Sequence, residues 1–292
     1  DEFVRAAYKA ISDAGIDYME VGYRSSRSLS PEANYGPWKY CDDDKIRKII
    51  DGIPSQTKLS VMVDAHRVKE QVFHPKEKSP IDMIRVATYV KDIDKAIAMV
   101  NMAHDLGYET TVNIMAASIE IEKDLIEALD QLAETPVNVV YVVDSYGYFY
   151  CEQIEYMCRL YRQHLPPKIE LGIHCHNNQQ LAFANTIEAI IHNTNYVDAS
   201  LYGIGRGAGN CPLELIMGFL KNPKFSLTPV LKVIEDYMIP MRNELEWGYL
   251  IPFMITGILN RHPESAITIR KTPEKDKYAE FYEKIRDTLD NL

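Results

Sequence analysis

Residues 172–178 read GIHCHNN, and the two histidines separated by a single residue are the sharpest chemical feature of the chain. Alternate side chains of an extended segment point to the same face, so His174 and His176 share a side while Cys175 points elsewhere. Two neutral imidazoles on one face can hold one divalent ion. A His-x-His pair also occurs as structural or merely exposed histidine. Its place at the C-terminal end of a strand, where α/β barrels keep their active sites, is what directs the reading toward function.

Residues 198–210, DASLYGIGRGAGN, follow the next strand. Gly203, Gly205, Gly207 and Gly209 surround Arg206, leaving a backbone that can approach a ligand closely or present N–H groups to an anion. A flexible connection is the alternative. Asn210 offers an amide oxygen to a metal, or caps the helix beginning near Pro212. Glu20 lies within MEVG, Arg85 within MIRVA and Asn113 within TTVNI, while Asp144 and Ser145 close VVYVV. A buried charge is costly unless paired, so Glu20 and Arg85 together suggest an ionic layer, either structural or substrate-facing. Asp144 and Ser145 are candidates for the substrate; Ser145 suits a substrate carboxylate or an ordinary cap. Tyr89 lines the mouth or packs on the surface. A Schiff-base lysine is not indicated: Lys58 and Lys168 precede their strands, and Lys91 opens a charged helix.

The elements that must position these residues alternate between two periods. Segments 18–22, 59–63, 83–87, 110–114, 137–143, 169–174 and 196–200 are short, apolar and bounded by turn chemistry, which predicts strands. Between them, Ile93, Ile97, Val100 and Ala103 mark one helical stripe, and Ile121, Leu125, Ala128, Leu129 and Leu132 another. Gly15, Gly107 and Gly172 are expected in helix-to-strand loops with positive φ. The repeating βα order implies a parallel sheet, and the fold class is an α/β (β/α)8 barrel. One strand fewer than such a barrel is readable, and the first strand is expected upstream of Asp1, because residues 2–14 read as the helix that follows it. An open doubly wound sheet would place a glycine-rich nucleotide loop after the first readable strand, and none is there. The expected division is a barrel domain over residues 1–222 and a C-terminal helical extension over 223–292. In the extension, 229–241 and 249–260 look helical and apolar and 271–292 reads as a charged amphipathic helix, covering the barrel or forming an oligomer contact.

Acidic residues outnumber basic ones 42 to 32 in a chain of 292, a formal charge of −10 that argues against a general nucleic-acid binder. The five cysteines, Cys41, Cys151, Cys158, Cys175 and Cys211, form no CxxC pair, so neither a disulfide framework nor a thiolate zinc site is indicated. No apolar run approaches the ~20 residues that cross a bilayer, and no signal peptide opens the chain, so a cytoplasmic location without membrane contact is expected.

Together, GIHCHNNQQLAFANT and GIGRGAGNCPLE resemble the metal-dependent pyruvate aldolases and lyases related to 3-hydroxy-3-methylglutaryl-CoA lyase, nearest in look to the 4-hydroxy-2-oxovalerate aldolase branch. The likeness runs from Gly15 to about Leu220. It implies that His174 and His176 ligate Mn²⁺, Mg²⁺ or a similar ion (Zn²⁺ being another), with Asn210 near the metal. It aligns Arg85 with the family's RVAT strand, and Asp144 and Ser145 with an Asp-Ser strand end. WGYL resembles the aldolase region that holds a catalytic tyrosine, making Tyr249 a candidate. Three departures stand out. The family's Asp-Arg-Glu-like segment, source of a third ligand and a catalytic arginine, is not in these residues. Tyr89 stands where aldolase relatives have histidine. The glycine loop has no cysteine before Cys211, which disfavours a CoA-thioester lyase.

The leading expectation is therefore retro-aldol cleavage of a 4-hydroxy-2-oxo acid to pyruvate and an aldehyde. In it the metal stabilises the enolate, a base (metal-activated water or a residue outside the chain) takes the 4-hydroxyl proton, and Arg85, Ser145 and Arg206 orient the acid. A Claisen-type acyltransferase of the isopropylmalate-synthase kind, a catalytically silent barrel binding a small acid or a partner protein, and a metal hydrolase are the alternatives. A homo-oligomer or a further domain outside the chain is compatible with each.

Overall fold

The computed structural model describes residues 1–26, 36–67 and 73–287. The elements run α1 (Glu2–Asp13), β1 (Tyr18–Tyr23), α2 (Asp43–Ile50), β2 (Lys58–Asp64), β3 (Met83–Thr88), α3 (Ile93–Asp105), β4 (Glu109–Ile114), α4 (Glu122–Ala133), β5 (Val139–Asp144), α5 (Cys151–His164), β6 (Glu170–Cys175), α6 (Ala182–Ile191), β7 (Tyr196–Val197) and α7 (Leu213–Leu220). The seven strands pair in sequence order, all parallel, and the sheet curls into a half-barrel. Across the gap between its edges the rings of Tyr18 on β1 and Tyr196 on β7 meet with centroids 5.9 Å apart.

Strand alternation divides the sheet into two chemically different faces. Val61, Val63, Ile84, Val86, Val112, Ile114, Val140, Val142, Leu171 and Ile173 are buried against the helices in one core. The residues between them, including Ser60, Arg85, Thr111, Asn113, Tyr141 and His174, belong to the concave face. An apolar convex face drives assembly, and the concave face is left free to be polar.

The helical stripes hold with two exceptions: Ile97 of α3 is only half-buried against the core, where Ala96 is buried instead, and Ile121 falls outside its helix. Ile93, Ala96, Val100 and Ala103 of α3 and Leu125, Ala128, Leu129 and Leu132 of α4 are buried, whereas Ile121 precedes α4 and is 67% exposed. Gly15 and Gly107 turn with φ of +77° and +92°. Gly172 does not: it lies inside β6, opposite Tyr141 of β5. A Cβ there would stand 2.5 Å from the Tyr141 ring, so the glycine is required for packing rather than for a turn.

After α7, α8 (Leu227–Val233) passes through a π turn (Ile234–Met238) into α9 (Ile239–Met241), followed by α10 (Ile251–Ile258), α11 (Glu264–Ile269) and α12 (Tyr278–Asp287). The helix expected over 271–292 thus begins seven residues later, after turns at 270–276, and residues 288–292 lie outside the described set. Both sets of helices pack on the rest of the chain. α8 lies against α1, joining Ile11 and Ala14 to Val230 and Ile234 in a second core. The Phe253 ring of α10 occupies the space beside Gly207. No described helix is long and apolar enough to cross a membrane.

Candidate metal and substrate site

At the C-terminal end of β6 the rings of His174 and His176 stand with centroids 5.1 Å apart at 76°. The shared face read from their spacing is therefore realised. His174 Nδ1 lies 2.9 Å from Asp198 Oδ2. The same Asp198 oxygen forms an ion pair with Arg85, whose other terminal nitrogen is 3.3 Å from Glu20 Oε2. The Arg85 guanidinium also lies over the Tyr141 ring, 4.7 Å from its centroid. Arg85 from β3, Glu20 from β1, His174 from β6 and Asp198 just past β7 thus converge, and the ionic layer expected of Glu20 and Arg85 exists with a third charged member that the sequence did not single out.

Burial sets the electrostatics. Desolvation alone would raise Asp198, but Arg85 and the bond to His174 outweigh it and hold its carboxyl at about 2. Glu20 is raised by desolvation, partly opposed by Arg85. Arg85 is buried, a loss that its carboxylates more than offset, so it stays charged. His176 is pushed well below the ordinary histidine value chiefly by burial, with the proximity of His174 and Arg206 adding to it and a bond to the Gly209 carbonyl opposing it. A neutral ring is the form that binds metal.

Asn210 forms an isolated antiparallel bridge with His176. Its side-chain nitrogen donates to the Ile204 carbonyl at 3.1 Å. Its Oδ1 is buried without a hydrogen-bond partner. The helix-cap role is thereby corrected, because that oxygen accepts no N–H of α7, whose N-cap is Pro212. An orphaned buried amide oxygen is costly unless something absent from the protein satisfies it. Two imidazoles and this oxygen make a nitrogen and oxygen donor set suited to a divalent cation, so the residues fit a metal.

The other expected site residues divide. Asp144 is fully buried, and its two oxygens accept the N–H groups of Tyr148 at 2.8 Å and Phe149 at 3.3 Å. It shapes the turn after β5 rather than facing a substrate, and desolvation pushes its carboxyl up to about 7 against those bonds. Ser145 Oγ accepts the Ala116 N–H at 2.8 Å, which leaves the hydroxyl proton to donate. Arg206 is exposed, with its charge felt at His176, Tyr23, Tyr146 and His262. Tyr249 is 58% exposed and, among the described residues, makes no hydrogen bond to the cluster; the adjoining Gly248 N–H bonds the Gly207 carbonyl. Tyr89 packs on His66 at 5.5 Å. Cys211 is buried, and desolvation raises it to about 11, which favours the neutral thiol.

Sequence reasoning missed Asp198, Tyr141 and His262. The alternation of YVDAS places Asp198 on the face of Tyr196, a signal that was available. Nothing local marks His262, which meets Tyr146 edge-on at 5.8 Å. Elsewhere, Glu155, Glu188 and His192 bring ligand atoms within 4.8 Å of one another on α5 and α6. Glu188 already bonds His192 at 3.0 Å and Glu155 pairs with Arg159 at 3.2 Å, which is ordinary helix-surface pairing.

A parallel α/β half-barrel with imidazoles at a strand end defines a class, and the family follows: the HMGL-like family model matches residues 2–235, and the chain belongs to that family. It is 26% identical over 243 residues to 4-hydroxy-2-oxovalerate aldolase of Marinomonas sp. (strain MWYL1), covering 82% of this chain and 71% of that protein. It is 27% identical over 246 residues to the enzyme of the same name from Pseudomonas putida, covering 82% and 70%. The crystallised N-terminal domain of a Bacteroides vulgatus protein superposes with a TM-score of 0.77 at 25% identity, over 95% of this chain and 93% of that one.

Proposed function

We propose that the chain is a divalent-metal-dependent carbon–carbon lyase that cleaves a 4-hydroxy-2-oxo acid to pyruvate and an aldehyde. The observation that carries this reading is the adjacency of the His174 and His176 rings at the end of β6, with Asn210, whose side-chain oxygen is orphaned, bridged to His176 through the backbone. The names of its relatives support the substrate class. In this reading the curled seven-stranded sheet belongs to a (β/α)8 barrel domain over residues 1–222, with 223–292 as a helical extension beside the mouth.

His174, His176 and Asn210 would hold the ion, with Mn²⁺ or Mg²⁺ preferred and Zn²⁺ the third choice. When bound, it supplies Lewis-acid polarisation of the 2-oxo group. The chain's own residues do the rest. Arg206 attracts the anionic acid to the mouth. Ser145 donates its free hydroxyl proton to the substrate carboxylate. Arg85 keeps Glu20 and Asp198 fixed on the concave face. Glu20, at the accessible rim of the charged layer with Arg85 beside it, is placed to hold or take a proton there. Loss of the 4-hydroxyl proton sends its electron pair into the C4 carbonyl of the departing aldehyde. The C3–C4 pair then passes to the pyruvate enolate, which is protonated at C3.

The experiment is a pyruvate-release assay on a panel of 4-hydroxy-2-oxo acids with Mn²⁺ added. Turnover that chelation abolishes is expected. Silence across the panel, with metal bound, would overturn the assignment.

A further inference from the structure

We propose that Asp198 is the positioning residue of the metal site, fixing His174 as the Nδ1–H tautomer so that its Nε2 lone pair is directed, alongside His176, at the cation. The inference rests on the reading of the two histidines as ligands and adds the residue that aims one of them.

The tautomer follows from donor and acceptor chemistry. An ionised carboxylate can only accept, so a 2.9 Å contact between His174 Nδ1 and Asp198 Oδ2 requires the proton to sit on Nδ1. In the neutral form that binds metal the imidazole carries one proton, here on Nδ1, and Nε2 is the lone-pair nitrogen. The carboxylate is itself held from two directions. Arg85 pairs with the same oxygen, and its second nitrogen is committed to Glu20 at 3.3 Å. The Asp198 N–H donates to the Ile173 carbonyl at 3.0 Å, tying the acid's backbone to the residue preceding His174. With its side chain only 15% exposed, Asp198 has little freedom to turn to water. Carboxylates placed behind metal-binding histidines orient the ring and raise its basicity. A purely structural Arg85–Asp198 pair would tie β3 to the end of β7 across the concave face and leave the histidine tautomer undetermined.

The test uses the full chain, with Mn²⁺ alone as the probe, followed by calorimetry and by ¹⁵N NMR of labelled histidine rings. Metal-free protein should show His174 protonated at Nδ1. Asp198→Ala and Asp198→Asn should bind Mn²⁺ about 10- to 100-fold more weakly than the parent. A parent protein with His174 protonated at Nε2, or Asp198 variants with unchanged Mn²⁺ affinity, would overturn the proposal while leaving the metal reading intact. A parent that binds no Mn²⁺, or a His174→Ala/His176→Ala protein that binds it equally well, would overturn the metal reading itself. Should the alanine variant fail to fold, the parent's tautomer and the near-isosteric asparagine variant decide the matter.

Discussion

Gly172 and Tyr141 are register partners on neighbouring strands, and the missing side chain of the one is the space in which the ring of the other lies. That ring in turn supports the Arg85 guanidinium at 4.7 Å. A methyl group at 172 must push the ring into the charged layer. Gly172→Ala is expected to destabilise by about 1–3 kcal/mol, the usual cost of overpacking, and to lower turnover by displacing Arg85. Urea denaturation should show a lower midpoint with an unchanged slope. Parent-like stability would mean that Tyr141 has room to move.

Arg85 spans two carboxylates from different parts of the sheet, a task suited to a forked guanidinium and not to a single ammonium. Removing it in Arg85→Met leaves Glu20 and Asp198 facing each other without a cation. The Arg85–Asp198 pair is the buried one, and breaking it in this way costs about 3–5 kcal/mol. The Glu20→Gln/Arg85→Met double variant should lose less than the sum of the single losses, because part of the penalty is the stranded Glu20 charge. Additive losses would mean that the two side chains do not interact.

The convex face of the sheet was legible because each strand announces itself by a run of branched apolar residues, as in VNVVYVV and IELGIH. The charged layer was only half legible. Glu20 and Arg85 stand out as charges inside apolar strands, but Arg85 and Asp198 are 113 residues apart, and no local pattern links them. β7 illustrates the physical reason. The sequence predicts a strand over 196–200, yet only Tyr196–Val197 pair as strand. Asp198 still donates its N–H to the Ile173 carbonyl while its side chain meets Arg85 and His174, and beyond it Ser200 bridges to Pro212 instead. The strand is cut short where the chain pairs back on itself at Ser200, a tertiary contact that local propensity does not show. Gly172 misled for a similar reason, since a glycine kept for close packing looks the same in sequence as one kept for a turn.

Asp144 should impress a pH dependence on stability. Its carboxyl is raised from 3.8 to about 7 by burial, so between those values the folded protein binds a proton that the unfolded chain has released. The stability it contributes is present below about 4 and is lost as pH rises through about 7. The unfolding free energy of metal-free parent protein should therefore fall over this interval relative to that of Asp144→Asn, by an amount on the order of a few kcal/mol. Equilibrium denaturation of both proteins across the window measures the difference. Parallel curves would show that the backbone N–H groups of Tyr148 and Phe149 keep this carboxylate ionised in the folded state.

Asn210 separates a metal oxygen from a structural amide. Its Oδ1 is buried with no partner, and its Nδ2 makes one bond, to Ile204. Replacing it with leucine, near in volume, removes a neutral hydrogen bond worth about 1 kcal/mol and also removes an unsatisfied oxygen that costs about 1–3 kcal/mol. Metal-free Asn210→Leu should therefore unfold at nearly the parent's denaturant midpoint. The metal-dependent part should behave oppositely. A ligand at one hundred times its Kd stabilises a folded protein by about 2.7 kcal/mol, and the variant, having lost a donor, should show a smaller shift at the same Mn²⁺ concentration. A variant that is strongly destabilised without metal, yet shifted by Mn²⁺ as far as the parent, would identify Asn210 as a scaffold residue and leave the ion to the two imidazoles.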